Sequence, residues 1–190
     1  MGKLRTFVAV EIDRAIKGRF GNLQKKLKEA GGDVKWVEVE NIHVTLKFLG
    51  HIDDTDLPLA KDIIKVAVAN LDPFFVKFKG VGAFPRPERP RVLTIAIQDT
   101  SGSLSRINSR LEQGFFEKLG IKKDGRRYSP HLTLGRVKST KNIDPLVQLM
   151  ARHSADDFGE EWIKRVVLMH SQLSPKGPTY IRLENFNLDQ

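Results

Sequence analysis

The chain has 190 residues, 40% of them hydrophobic and 29% charged, with a net charge of +9 and no cysteine. That length suffices for one domain with a substantial core or two small lobes sharing one; the composition excludes disulfides and thiolate metal ligands, and no apolar run approaches the roughly 18–20 residues of a membrane span. The excess of Lys and Arg favours polyanionic partners, chiefly nucleic acid, but it is dispersed along the chain and serves solubility equally well.

The first residues lead directly into a strand rich in β-branched side chains at 6–12, without a signal-peptide core or cleavage site, so the cytoplasm is the expected location. Ile16, Phe20, Leu23 and Leu27 recur at helical spacing and predict an amphipathic helix stopped at Gly31-Gly32. His43-Val44-Thr45-Leu46 opens a second strand, and a helix near 57–70 and a third strand at 74–81 complete a β-α-β-α-β unit. After a Pro-rich connector at 85–90 the unit recurs. It has a strand at 92–97, then a helix carrying Leu104, Ile107, Leu111, Phe115 and Leu119 and closed by Gly120. The strand of His131-Leu132-Thr133-Leu134, a helix near 144–153 and a strand at 162–169 follow.

One offset of 88 takes Thr6 to Thr94, Ile16 to Leu104 and His43 to His131. Self-similarity of this length predicts duplication of a supersecondary unit. The expected fold is α+β: a single bilobal domain over 1–190, with halves of about 1–84 and 91–190 related by a pseudo-two-fold axis and two antiparallel-type sheets flanking a central cleft. Each half has too few residues to bury a good core alone, so the connector is not expected to be a flexible linker.

Strand alternation puts His43, Thr45 and Lys47 on one face and Val44, Leu46 and Phe48 on the other; in the second copy His131 and Thr133 share a face. Pseudo-symmetry would set two imidazole–hydroxyl pairs opposite one another. In-line displacement at phosphorus needs a base on the attacking water and an acid on the departing oxygen, and histidine titrates where it can serve as either. The threonine hydroxyls suit non-bridging phosphate oxygens. With five His and eight Thr, chance supplies roughly 0.2 His-x-Thr triplets, whereas two occur at equivalent places. A duplicated fold also has a structural use for matched histidines, as hydrogen-bonded partners between lobes.

These motifs resemble those of the 2H phosphoesterase superfamily, and within it the RNA 2′,3′-cyclic phosphodiesterases, also called 2′-5′ RNA ligases. The likeness rests on Arg5-Thr6-Phe7-Val8-Ala9, on residues 43–50, on Gly82-Ala83-Phe84-Pro85, and on Ser129 to Arg136, and it spans nearly the whole chain. It implies a LigT-like bilobal fold and hydrolysis of a terminal 2′,3′-cyclic phosphate to a 2′-phosphate without metal or cofactor. His43 would be proton donor and His131 proton acceptor, with Thr45 and Thr133 on the phosphate. The implied partner is an RNA end, tRNA fragments among them, with 2′-5′ ligation as the reverse reaction and a monomer as the working form.

Arg136 matches an arginine of the family's active site, yet simple alternation turns it away from His131; a bulge at Gly135 would re-aim it. Phe84, in the Pro-rich stretch, is a candidate to stack a nucleobase, whereas alternation assigns Phe48 to the core. Lys47 has the parity of a cleft-rim lysine. Arg126 and Arg127 suit either RNA phosphates or a solvated loop. His51, His153 and His170 share no metal-binding spacing and read as structural or exposed. Three other functions fit parts of the pattern: a sister activity on a small cyclic nucleotide, a non-catalytic RNA-binding module, and a metal-dependent hydrolase, the last lacking any legible three-ligand cluster.

Overall fold

The computed structural model describes residues 2–175 and 177–189. Among the described residues nine strands and four α-helices follow in the order β1 (Lys3–Glu11), α1 (Arg14–Lys28), β2 (Val34–Trp36), β3 (His43–Asp53), α2 (Leu57–Val68), β4 (Phe74–Arg86), β5 (Arg89–Gln98), α3 (Ser103–Leu119), β6 (His131–Val137), α4 (Ile143–Arg152), β7 (Asp157–Ile163), β8 (Arg165–Ser174) and β9 (Gly177–Asn187). The helices form where the periodicity places them. Asp13 caps α1 through a 2.7 Å bond from the Ala15 amide, and Ile16, Phe20, Leu23 and Leu27 are buried along one face. Gly31 and Gly120 follow α1 and α3 with φ of 68° and 64°, the left-handed conformation that ends a helix.

The strands run β7-β4-β5-β6-β3-β1-β8-β9, every pairing antiparallel, with β2 added to β6. This order reads as a palindrome: β5 matches β1, β6 matches β3, β4 matches β8 and β7 matches β9. The two four-stranded halves meet at one registered pair, Val44 with Leu132. Each half's third long strand crosses over, since β4 pairs with β5 of the second half and β8 with β1 of the first. The halves are therefore woven together, and a single large core is shared between them.

Three expectations change in detail. The third strand of the second half is divided, its residues falling in β7 and β8, and β9 has no counterpart in the sequence reading. The connector at 85–90 is the closed end of the β4–β5 hairpin, with only Pro87 and Glu88 outside strands. Prolines argue against a strand, but β7 pairs with β4 only as far as Lys79 and β6 reaches β5 only from Val92. Pro85 and Pro90 thus lie where one ladder is used and a missing amide costs little. Finally, Ala9 stands opposite Thr45 and Thr94 opposite Thr133, so the first strands correspond at an offset of 85, and the Thr6–Thr94 match at 88 is not carried into the sheet.

Candidate active site

His43 and His131 begin the two central strands, each one residue before the Val44–Leu132 seam. Both rings are fixed in the same way. Nδ1 of His43 lies 2.8 Å from the Asn41 carbonyl, and Nδ1 of His131 lies 2.8 Å from the Ser129 carbonyl. A carbonyl only accepts, so Nδ1 carries the proton in both and Nε2 is left for chemistry. The surroundings then differ. Phe7 stacks on His43 at 4.8 Å and Tyr180 meets it edge-on at 5.2 Å, whereas His131 has the edge of Phe84 at 4.8 Å. Burial lowers the pKa of His43 to about 4, assisted by the Lys17 charge and opposed by the Asn41 carbonyl and by Glu11, which faces His43 across the β1–β3 ladder.

Two residues beyond each histidine come Thr45 and Thr133, which line a cleft of about 390 Å³ together with His43, Arg136, Arg5 and Lys35. His131 shares the Thr133 face of β6 by alternation, although it is not among the residues walling this cavity. The Tyr128 hydroxyl donates to the Thr45 carbonyl at 3.0 Å and ties the segment before β6 to β3. Arg5 bonds Ser171 at the cleft wall. Two further depressions, of about 470 and 560 Å³, lie along α2 and contain no histidine.

Just past the threonines both strands bulge. Against β1, Val8 pairs with Lys47 and Ala9 with Thr45, leaving Leu46 unpaired; against β5, Leu93 pairs with Gly135 and Thr94 with Thr133, leaving Leu134 unpaired. Each extra residue inverts the alternation that follows. Arg136 accordingly faces the cleft, as the bulge argument at Gly135 anticipates. An added Cβ at Gly135 would come 2.6 Å from a Val34 methyl of β2, which is why a residue without a side chain stands there.

The same inversion overturns two readings. Phe48 is 60% exposed and lines the cleft rather than the core. Lys47 is 5% exposed and points toward the helices, where its ammonium contacts Glu112 at 2.8 Å. Phe84 lies in β4 against His131. Arg126 and Arg127 are exposed and do not line the cleft. His153 bonds Asp156, His170 pairs with Thr6 across the ladder, and His51 is exposed. Arg5 and Phe7 belong to a stretch that resembles the family, without a role implied for either, and Lys35 and Tyr180 carry no signal of their own in the sequence; the fold brings all four to the cleft. Among the described residues no group of three or more His, Asp or Glu is placed to hold a metal ion, and no helix is long and apolar enough to cross a membrane.

A duplicated sheet that carries one His-x-Thr on each central strand is the architecture of a two-histidine phosphoesterase. A family model described as LigT like Phosphoesterase matches the chain twice, at residues 10–94 and 95–180, once per half. The chain belongs to that family. It is 34% identical over 186 residues to the RNA 2′,3′-cyclic phosphodiesterase of Methanothermobacter thermautotrophicus, covering 98% of this chain and 100% of the relative. To the protein of the same name from Archaeoglobus fulgidus it is 38% identical over 184 residues, covering 96% and 99%. A crystal structure from Thermus thermophilus superposes with a TM-score of 0.81 at 28% identity over 97% of this chain and 98% of that one. E. coli LigT solved with 3′-AMP shares the fold at 18% identity, with a TM-score of 0.81 over the full length of both chains.

Proposed function

We propose that the chain hydrolyses the 2′,3′-cyclic phosphate at an RNA end to a 2′-phosphate by metal-independent acid–base catalysis. The observation that carries this reading is the matched pair of histidines, each with Nδ1 committed to a backbone carbonyl two residues earlier and Nε2 free. The water oxygen bonds to phosphorus as its proton passes to Nε2 of His131. The P–O3′ bond breaks, and O3′ takes the proton from Nε2 of His43. Thr45 and Thr133 donate their hydroxyls to the non-bridging oxygens, and Arg136 offsets their charge. Burial disfavours the charged form of His43, and the incoming phosphate anion supplies the opposite charge that lets it hold the proton it gives away. Full-length relatives named for this activity support the reaction class.

Phe48, which shares the cleft wall with Trp36 and Tyr180, and Phe84 against His131 offer aromatic surfaces to the terminal nucleoside. Upstream RNA has a basic path leading from the site. Lys35 lies directly opposite Arg136 in the β2–β6 ladder, Lys138 follows two residues later, and Lys28 sits 5.8 Å over the Trp36 ring. None of these four cations belongs to an ion pair among the described residues. We read tRNA-type fragments in the cytoplasm as the natural substrates and a monomer as the working form.

The deciding experiment is incubation of an RNA ending in 2′,3′-cyclic phosphate with the protein in EDTA, followed by mapping of the product phosphate. A 2′-phosphate is expected. Activity that disappears on chelation and returns with a divalent ion, or a 3′-phosphate product, overturns the mechanism. For the basic path, raising salt should weaken binding of an oligonucleotide but scarcely affect turnover of a cyclic mononucleotide, since counterion release scales with the number of phosphates neutralised. Replacing Lys35 and Lys138 together should reduce the salt slope by about 1 to 2, roughly one for each phosphate left without its lysine. An unchanged slope would place upstream RNA elsewhere.

A further inference from the structure

The two bulges that aim Phe48 and Arg136 into the cleft are each held by a buried amide from the opposite half of the molecule. The carbonyl of Leu134, the extra residue in β6, accepts from the Val37 backbone amide at 2.9 Å and from the Gln24 side-chain amide of α1 at 2.9 Å, and the same Gln24 nitrogen reaches the Val37 carbonyl at 2.8 Å. The carbonyl of Leu46, the extra residue in β3, accepts from the Asn108 amide of α3 at 2.7 Å. Both amide residues are buried, at 2% and 8% exposure. Each bulged carbonyl meets a buried side-chain amide from a helix of the other half, at Leu134 in addition to the Val37 backbone amide, and such a donor fixes where the extra residue sits.

The two amides do not occupy equivalent places in the repeat. At the offset of 88 that relates the helices, Gln24 corresponds to Glu112 and Asn108 to Phe20. The same device is therefore built from helix positions a turn apart, and simple inheritance of one ancestral contact does not account for it.

We infer that Gln24 and Asn108 are positioning residues: each fixes the bulge of the other half's histidine strand, so that Gln24 sets the aim of Arg136 and Asn108 that of Phe48. This rests on the cyclic-phosphate reading of the cleft. It gives the woven duplication a functional consequence, since neither half carries the donor that shapes its own catalytic strand.

The test is a pair of double-mutant cycles on a cyclic mononucleotide substrate, with thermal unfolding measured for every variant. Gln24→Met is expected to lower kcat about tenfold by displacing the arginine, the scale on which small misplacements act. Adding it to Arg136→Ala should cost little more than Arg136→Ala alone, because both remove one interaction. Asn108→Leu should raise KM about fivefold or more with a smaller change in kcat, and should fail to add to Phe48→Ala. Gly135→Ala presses on the same bulge from the β2 side and leaves the amide intact, so it serves where Gln24→Met folds poorly; it too should couple to Arg136→Ala.

Additive losses, or variants with lowered unfolding temperature but wild-type kcat and KM, would reduce both amides to structural partners and overturn the inference. Inactivity of the wild-type protein would instead count against the reaction proposed for the cleft. In that event amide exchange at Gly135 and Arg136 still decides: faster exchange in Gln24→Met supports the clamp, and unchanged exchange refutes it.

Discussion

Alanine in place of His43 or His131 is expected to lower cyclic-phosphate hydrolysis by about 10²-fold or more, the usual cost of losing a positioned acid or base. The double variant should be little worse than either single one, because one displacement uses both groups. Neither change should unfold the protein, since the neighbours that do belong to the core, Val44 and Leu132, stay in place at the seam. The two roles separate with an aryl phosphodiester whose p-nitrophenolate leaves without a proton. His43→Ala should recover much of its lost rate on that substrate, and His131→Ala should not. Recovery by His131→Ala alone would exchange the donor and acceptor, and near-normal turnover by either variant on the cyclic phosphate removes the two-histidine mechanism.

Acidity offers an independent check on His43. Its pKa is lowered to about 4 in the folded protein from 6.5, so below 6.5 the unfolded chain takes up a proton that the folded chain refuses. The stability contributed by the neutral ring is present above about pH 6.5 and is lost progressively as the pH falls toward 4. His43→Ala should therefore lose less stability than wild type on acidification across that window. Parallel stability curves for the two proteins would mean that the imidazole is not desolvated.

How much of the fold and site is legible in the sequence depends on the range of the force involved. The helices announce themselves through apolar spacing and the glycines that end them, and the His-x-Thr pairs through their recurrence at one offset. Phe48 defeats the alternation rule because that rule assumes an unbroken pleat. The bulge at Leu46 is met by Asn108, 62 residues away, whose amide donates to its carbonyl, and no local pattern carries that information. Gly135 leaves a local trace of its bulge and Lys47 leaves none, which is why the sequence can place Arg136 conditionally and cannot place Phe48. The exchange of β4 and β8 between halves is likewise a non-local pairing. So is the cleft's supply of Arg5 and Tyr180, which come from opposite ends of the chain.

Lys47 is where this non-local packing should have its largest effect on stability. Its ammonium is almost wholly out of solvent, at 3% side-chain exposure, and contacts Glu112 at 2.8 Å and the Lys122 carbonyl at 3.3 Å; the Glu112 carboxylate, 13% exposed, also accepts from the Asp124 amide at 3.0 Å. Lys47→Met leaves that carboxylate buried with one donor in place of two, and the expected cost is about 3 kcal/mol, at the low end for stranding a buried charge because Glu112 keeps some solvent. For a chain of this size that corresponds to a fall of roughly 6 to 12 °C in Tm. Glu112→Ala strands the ammonium and should cost a similar amount. The double variant Lys47→Met/Glu112→Leu removes both charges and should recover most of the loss, since apolar pairs of similar volume replace buried ion pairs with little penalty. A single variant as stable as wild type would show that the pair is solvated in solution. A double variant less stable than both singles would show that the hydrogen bonds to residues 122 and 124, rather than the two charges, hold α3 against β3.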